Sequence, residues 1–366
     1  MAWTNRHFRY FLRLMTRHTK LYTEMINADT ITHCKDHLRP FLGFNTIEHP
    51  VVAQLGGNNP EALAEAAYEC QRWGFDEVNL NCGCPSKKVS KRCFGARLML
   101  QPDLVRQITH AMRRRVSIPV TVKCRLGADD RDSYPELQEF ITTVKASGVT
   151  HFLIHARKCL LSGLSTTQNR SIPPIKYDWV YNLCNDYPEL DFSLNGHVQT
   201  LAEARTHLNY HLQDERRTSV LVGNGSSPAS IGGEKCNIAP PPRKGLKGVM
   251  LGRAAFTTPF ILADADRQIF GQRKNPIDTK PQLIEQYLRY CDRVTESEGS
   301  SKKLALALVK PLTNLFHGEV GIKHYKACLL HEEIIRKKNF DIRDVLTMSM
   351  KHLSNVDRSA FGLDGR

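Results

Sequence analysis

The segment VVAQLGGNNPEALAEAAYECQRWGFDEVNLNCGCP (residues 51–85) contains two short apolar runs on either side of a helical pattern. The two runs, VVAQLGG and EVNLNCGCP, have the length and residue types of buried strands. Between them Asn59 can cap a helix that begins with Pro60, and apolar residues then recur at helical spacing: Ala62, Leu63, Ala66, Ala67, Cys70 and Trp73. Because a helix between two strands places those strands parallel, the segment predicts an α/β fold.

The same alternation of strand and helix continues on both sides of this segment. Further strand-type runs are LYTEMIN (21–27), PVTVKCRLG (119–127), HFLIHAR (151–157), LDFSLNGHV (190–198) and GVMLGR (248–253). Seven strands with a helix before the first predict a (β/α)₈ TIM barrel that lacks only its opening strand. A doubly wound sheet is the alternative. In a barrel, polar residues at the carboxyl ends of the strands converge on one site.

Three segments differ in pattern from the alternating region. Residues 213–247, rich in glycine, serine and proline over their second half, predict a flexible insertion on the amino-terminal face of the barrel. Residues 276–366 show only helical periodicity, so we expect a barrel domain over 1–275 and a small helical domain after it. Near the start, helical spacing predicts a buried helix rather than a transit peptide, through Trp3, Phe8, Phe11, Leu12 and Met15.

The overall composition indicates the kind of partner. Lysine and arginine number 51 against 37 aspartates and glutamates, which gives a net charge of +14 over 366 residues. Such a balance is typical of proteins that bind a phosphate-rich partner. Eleven cysteines, odd in number and irregular in spacing, favour a reducing compartment over a secreted disulfide framework. No apolar run approaches the roughly 20 residues of a membrane span, so we expect no membrane partner.

Two cysteines, Cys82 and Cys84, stand at the end of a predicted strand just before Pro85. A structural zinc site needs a second cysteine pair, and none follows at a suitable spacing. A disulfide between residues two apart would be strained. These arguments favour one free thiol, which suits a proton donor because an ordinary cysteine titrates at about pH 8.5. A buried structural cysteine is the alternative.

A set of motifs, in this order and spacing, resembles the tRNA-dihydrouridine synthases, specifically their A-type branch. The motifs are LYTEM (21–25), QLGG (54–57), NLNCGCPS (79–86), TVKCRLG (121–127), IHARK (154–158) with LSGLS (161–165), LNGH (194–197) and GVMLGR (248–253). The resemblance runs from Trp3 to the C-terminal helices and is interrupted only by the insertion. An ordered set of this kind is far more specific than any one of its pieces.

The resemblance implies an FMN enzyme that reduces the C5=C6 bond of D-loop uridines in tRNA and uses NADPH to recharge the flavin. By this analogy Cys84 protonates C5 while hydride reaches C6 from N5 of the reduced flavin. The argument from the thiol alone agrees with a proton donor at this position.

The strand-end residues suit a flavin site by their own chemistry. Lys123 would place a cation beside flavin N1 and C2=O, and a lysine on an inner strand is costly to bury without an anion. Gln54 and His155 can hydrogen-bond the cofactor. The phosphate pocket usual for this fold would be formed by Asn195, Gly196, Gly252 and Arg253. The family usually has glycine where this chain has His197, so the backbone contact there is in question, although the histidine could itself meet the phosphate.

Other residues are expected to contact the RNA, whose target uridine must leave the stack to reach the flavin. By resemblance Asn81 reads the polar edge of the base, while Arg157, Lys158 and Arg170 line the same mouth. In the helical domain Lys323 and Lys326 stand where the A-type pattern carries arginines for tRNA. We therefore expect both lysines to contact phosphates of the tRNA, but without the bidentate hydrogen bonds that an arginine can form.

The strand that opens the barrel in the family, with an Ala-Pro-Met that packs against the flavin, has no counterpart in this sequence. We expect a sequence that starts late rather than a barrel with a gap, and a targeting segment could be missing with the strand. Otherwise we expect a cytoplasmic monomer. Two alternatives stay open: a small-molecule FMN-barrel oxidoreductase, and an RNA-binding pseudoenzyme that has lost its flavin.

Overall fold

The structure, a computed structural model, describes residues 3–34, 37–210, 244–331 and 341–362. Within these residues seven parallel strands form one sheet in sequential order. The strands are β1 Leu21–Asn27, β2 Val51–Gly56, β3 Glu77–Asn81, β4 Val120–Arg125, β5 His151–His155, β6 Asp191–Asn195 and β7 Gly248–Met250. A doubly wound sheet reverses its strand order at a switch point. This order has no reversal, so the TIM-barrel prediction is confirmed.

Helices alternate with the strands and then continue alone after β7. Those of the barrel are α1 Arg6–Met15, α2 Ala28–His33, α3 Arg39–Leu42, α4 Pro60–Arg72, α5 Lys87–Ser90, α6 Pro102–Arg115, α7 Tyr134–Lys145, α8 Tyr177–Asp186 and α9 Leu201–Leu208. Those that follow are α10 Arg253–Thr257, α11 Ala265–Gln268, α12 Lys280–Glu298, α13 Lys302–Val309, α14 Ile322–Leu329 and α15 Ile342–Met350. As predicted, Asn59 caps α4 and Pro60 occupies its first turn.

The pairing register of the strands aligns their polar carboxyl ends. Asn81 pairs with Lys123 across β3 and β4, and Arg125 pairs with His155 across β4 and β5. His155 in turn pairs with Asn195 across β5 and β6. Since side chains alternate between the two faces of a strand, residues in register on one face lie side by side. The register thus forms one continuous rim of polar groups.

Two hydrophobic clusters support the fold. One packs the strands against α4, α6 and α7 through residues such as Val78, Ile108 and Phe140. The other joins α1 to the C-terminal helices through residues such as Phe11 and Tyr287. The predicted N-terminal helix is therefore buried, as expected. The structure differs from the prediction at the start of this helix. Asn5 caps the helix, which begins at Arg6, so Trp3 lies outside it, with 47% of its surface exposed.

The region around β7 departs most from the predicted pattern. β7 has three residues rather than the six of GVMLGR, and the chain turns into the short helix α10 at Arg253. The predicted insertion over 213–247 lies almost entirely outside the described residues. None of the helices in the described ranges is long and apolar enough to cross a membrane. The ten cysteines of the described residues form no disulfide, and those residues hold no cluster of three metal-ligating side chains.

Candidate active site at the carboxyl ends of the strands

Asn81, the last residue of β3, organises the turn that follows it. Its Oδ1 accepts hydrogen bonds from the backbone N–H groups of Gly83 (3.1 Å) and Cys84 (3.0 Å). Its Nδ2 donates to Oε1 of Gln54, whose own Nε2 donates to the carbonyl of Thr23 at 3.2 Å. An asparagine that bonds the backbone two or three residues on stabilises a turn. Among the described residues one N–H of the Asn81 amide is left without an acceptor, and it is the group that could meet a base.

The two cysteines of this turn have different environments. Cys82 is fully buried, and burial raises its pKa well above the ordinary value, so this thiol stays neutral and inert. Cys84 is half-buried, and its carbonyl accepts a hydrogen bond from the N–H of Ala96 at 3.0 Å. Together with Asn81, Ala96 fixes the peptide groups on both sides of the Cys84 side chain. Of the pair, only Cys84 is accessible at the mouth of the barrel.

Lys123 is a desolvated cation without a counter-charge. It lies half-buried near the end of β4, and among the described residues its ammonium has no hydrogen-bond or ion-pair partner. Burial, reinforced by the nearby charge of Arg125, lowers the pKa of Lys123 to about 8. A buried ammonium without an anion is costly. The site therefore favours a ligand that brings negative charge to this strand end.

His155, at the end of β5, is neutral at physiological pH. Burial lowers its pKa to about 2, and the charges of Arg125 and Lys123 contribute in the same direction. Its Nδ1 lies 3.5 Å from Nη1 of Arg125. Because a guanidinium only donates, Nδ1 acts as the acceptor and Nε2 carries the proton. His155 is thus a fixed donor toward any group bound beside it.

Arg125 was not among the residues predicted for this site. It is 4% exposed, and its Nε donates to the carbonyl of Gly83 at 2.8 Å. A signal was present in the sequence: alternation along VTVKCR places Lys123 and Arg125 on the same face of β4. Sequence reasoning singled out the lysine and missed the arginine two residues on.

Three further cations, Arg157, Lys158 and Arg170, lie in the loop after β5 and differ in their partners. Lys158 forms an ion pair with Asp132 at 2.5 Å, so its charge is compensated. Arg157 donates through Nη1 to the carbonyls of Ser171 (3.2 Å) and Pro173, while its Nε is buried without a partner among the described residues. Arg170 bonds Thr167 at 3.2 Å, and its Nε is likewise buried and unpartnered. These two buried guanidinium donors could both bind an anionic acceptor.

The ends of β6 and β7, where the sequence predicts a phosphate pocket, lie side by side. Asn195 Nδ2 donates to the carbonyl of Met250 at 2.8 Å, which ties the two strand ends together. The carbonyl of Gly196 accepts from the Tyr177 hydroxyl at 2.6 Å. His197 has φ of +57°, a left-handed conformation that favours glycine, which accounts for the glycine usual in the family. Nη2 of Arg253, which follows Gly252, lies 3.5 Å from the carbonyl of Arg170, so Arg253 belongs to the same cationic group.

The two remaining predicted residues lie elsewhere in the fold. Lys323 is exposed and Lys326 is half-buried, both on α14 among the C-terminal helices. The other predicted residues lie near the carboxyl ends of the strands, except Arg170, which belongs to the loop after β5. A cavity of about 820 Å³ between α1, β1 and α13 is lined by none of the predicted site residues.

Parallel strands in sequential order, with a half-buried thiol and several cations that have no carboxylate partner among the described residues at their carboxyl ends, are typical of an α/β-barrel enzyme. The sequence model of one family, described as dihydrouridine synthase, matches residues 1–226. The chain belongs to this family, as its motifs predict, and to the A-type branch.

Curated relatives of high coverage carry one and the same name, tRNA-dihydrouridine(20/20a) synthase. The protein of Synechocystis sp. is 40% identical over 330 residues, which are 90% of this chain and 86% of the relative. The protein of Escherichia coli strain K12 is 40% identical over 352 residues, which are 96% of this chain and 89% of the relative. The protein of Vibrio cholerae is 43% identical over 294 residues, which are 80% of this chain and 78% of the relative. Family membership favours the tRNA-modifying enzyme over both alternatives that the sequence left open.

Proposed function

We propose that the protein reduces uridines in the D-loop of tRNA to 5,6-dihydrouridine, with FMN as cofactor and NADPH as the electron donor. The observation that carries this proposal is the half-buried Cys84 thiol beside cations that have no anionic partner in the described residues. Since the relatives are named for positions 20 and 20a, we infer that these positions are the targets.

The residues present fit a flavin nucleotide. Lys123 lacks an anion, which the N1–C2=O edge of a reduced flavin would supply. Arg157 and Arg170 each have an unpartnered Nε, and the charge of Arg253 acts on both; a phosphate group could accept from guanidiniums of this kind. The cofactor would be held by Gln54, Lys123, His155, Asn195, Gly196, His197, Gly252 and Arg253. When bound, FMN supplies hydride chemistry that no side chain can provide.

Cys84 supplies the proton of the reaction. Its S–H bond breaks as the proton moves to C5 of the uracil ring, while C6 receives the hydride that the reduced cofactor would supply, so the π bond between C5 and C6 is lost, their single bond remains, and two C–H bonds form. The thiolate left on Cys84 takes a proton from water before the next turnover. Asn81 orients the acid by binding the N–H of Cys84, and its free amide hydrogen can contact the base.

The positive charge of the protein suits the phosphate backbone of tRNA. The target base must leave the stack to reach the strand ends, and Arg157, Lys158 and Arg170 lie at this mouth. Lys323 and Lys326 would hold a more distant part of the tRNA through its phosphates.

The cytoplasmic location, the monomeric state and the domain boundary at residue 275 stay predictions.

Mapping dihydrouridine on tRNA from cells with and without the gene tests this function. We expect the D-loop positions named above to revert to uridine in the deletion strain and to be reduced again when the gene is restored. Dihydrouridine that persists at every D-loop position in the deletion strain would show that another enzyme makes it and that the assignment is wrong.

The double substitution Lys323→Ala/Lys326→Ala should weaken tRNA binding in proportion to the lost phosphate contacts. Each contact contributes about 0.9 to the slope of log affinity against log salt, so the slope should fall by nearly 2. Binding is measured by filter retention from low to moderate salt. Arg114→Ala is the matched control, because Arg114 is exposed in the last turn of α6, which leads back to the amino end of the barrel. An equal loss in both variants would contradict a specific role for α14.

Substitution Lys123→Met should stabilise the cofactor-free protein at neutral pH. The folded pKa of about 8 lies below the unfolded value, so between pH 8 and 10.5 the unfolded chain binds more protons. Wild-type stability should therefore rise with pH across this window, and the variant should lose that rise. We expect a gain of about 2 kcal/mol at pH 7 that fades above pH 10.

Urea unfolding at a series of pH values measures the effect, with the exposed Lys91→Met as control. The same Lys123→Met variant should bind FMN at least about 10-fold more weakly, because it removes the cation that the cofactor would neutralise. A variant that is less stable than wild type at pH 7 would indicate that Lys123 has a structural partner.

A further inference from the structure

Arg125 is a buried guanidinium that no carboxylate neutralises in the described residues. It is 4% exposed at the end of β4, and the charges that act on it include those of Lys123, Arg157 and Arg170, all cations. A buried charge without a counter-ion is retained only where hydrogen bonds compensate it. The acceptors of Arg125 therefore indicate what the residue does.

These acceptors belong to three different segments at the mouth of the barrel. Nε donates to the carbonyl of Gly83 at 2.8 Å. Nη1 reaches the carbonyls of Lys158 (3.2 Å) and Asn169 (3.1 Å), and lies 3.5 Å from Nδ1 of His155. A guanidinium presents its donors in a fixed plane, so one side chain can bridge diverging segments that the flexible ammonium of lysine would not hold together.

We propose that Arg125 is a positioning residue that fixes the peptide before Cys84 and ties this turn to the loop over residues 158–170. The inference rests on the proposed role of Cys84. The turn then has three anchors, because Asn81 binds the N–H of Cys84 and Ala96 binds its carbonyl. Of the three, Arg125 is the residue that also binds the loop over residues 158–170, through the carbonyls of Lys158 and Asn169. That loop contains Arg170.

The connection has a consequence for turnover. An acid must lie within hydrogen-bond reach of the carbon that it protonates, and a shift of about 1 Å can cost about 100-fold in rate. Loss of one of three anchors should loosen the turn without unfolding it. We expect Arg125→Lys to lower kcat for tRNA about 10- to 100-fold and to leave KM for tRNA within about 3-fold, since the phosphate-binding cations remain.

The decisive measurement does not depend on catalysis. In the folded, cofactor-free protein the reaction of each cysteine with iodoacetamide is followed by tryptic mass spectrometry. Cys93 is exposed nine residues along the same segment and serves as the internal reference, and cleavage at Lys87, Lys88, Lys91 and Arg92 places it on a separate peptide from Cys84. We expect Arg125→Lys to change the ratio of Cys84 to Cys93 alkylation at least about 5-fold.

Two controls separate positioning from general stability. Arg113→Lys alters another arginine that donates to a backbone carbonyl, that of Ser147 at 2.9 Å, at the end of α6. Its alkylation ratio and kcat should match those of wild type. If Arg125→Lys lowers the melting temperature but leaves the alkylation ratio unchanged, Arg125 is only structural and the proposal is wrong. If the ratio changes while even the wild type forms no dihydrouridine, positioning holds and the proposed function fails.

Discussion

Substitution Cys84→Ala should lower the formation of dihydrouridine by about 10²–10⁴-fold, the usual contribution of a general acid. Alanine removes the transferable proton and leaves the backbone anchors of the turn, at Asn81 and Ala96, in place. FMN binding should be retained because the cationic groups are untouched. The measurement is the dihydrouridine content of tRNA after incubation with FMN-loaded enzyme and NADPH, together with the flavin absorbance of the purified variant.

Cys93→Ala is the matched control for this experiment, because Cys93 lies in the same segment and is exposed. It should keep the wild-type rate. Cys84→Ser tests the chemistry more finely: it keeps the shape of the side chain, but a hydroxyl is a much weaker acid than a thiol, so activity should stay low. A fully active Cys84→Ala enzyme would show that the proton comes from another group or from water.

Much of the barrel could be predicted from the sequence because its strands are short apolar runs bounded by turn residues. β2, β3 and the capped helix between them follow directly from residues 51–85. Prediction was poorest around β7, where the strand is three residues long because the chain turns into α10 at Arg253. The position of Trp3 outside α1 was also missed, since the cap at Asn5 competes with the helical spacing of apolar residues.

The site could be predicted as a set of residues but not as a network. Side chains at the carboxyl ends of parallel strands lie close together in any barrel, so their convergence could be predicted from the strands alone. The pairing register agrees, because it places Asn81, Lys123, His155 and Asn195 along one rim. Which polar groups bond each other depends on side-chain rotamers and loop paths that no spacing rule encodes. Hence the ion pair of Lys158 with Asp132 and the bridging role of Arg125 emerge only in three dimensions.

The segment after Cys84 returns to contact it, and Gly95 makes that return possible. Gly95 has φ of +68°, and a Cβ there would lie 2.7 Å from the carbonyl oxygen of Cys84 and 2.6 Å from Cγ1 of Val89. We expect Gly95→Ala to cost about 3 kcal/mol or more in the free energy of unfolding, since a backbone carbonyl cannot move away cheaply. Urea unfolding measures the loss, and the displaced turn should also lower the rate of dihydrouridine formation.

Gly271→Ala separates steric crowding from backbone strain. Gly271 has φ of +66°, nearly that of Gly95, yet a Cβ there meets nothing within 4 Å. Both variants bear the left-handed penalty of about 1–2 kcal/mol, so the difference between them isolates the crowding at Cys84. Adding Val89→Ala to Gly95→Ala should restore stability in part but not activity, because the clash with the Cys84 carbonyl remains. Equal losses in the Gly95 and Gly271 variants would mean that the turn adjusts freely and that Cys84 is not held from this side.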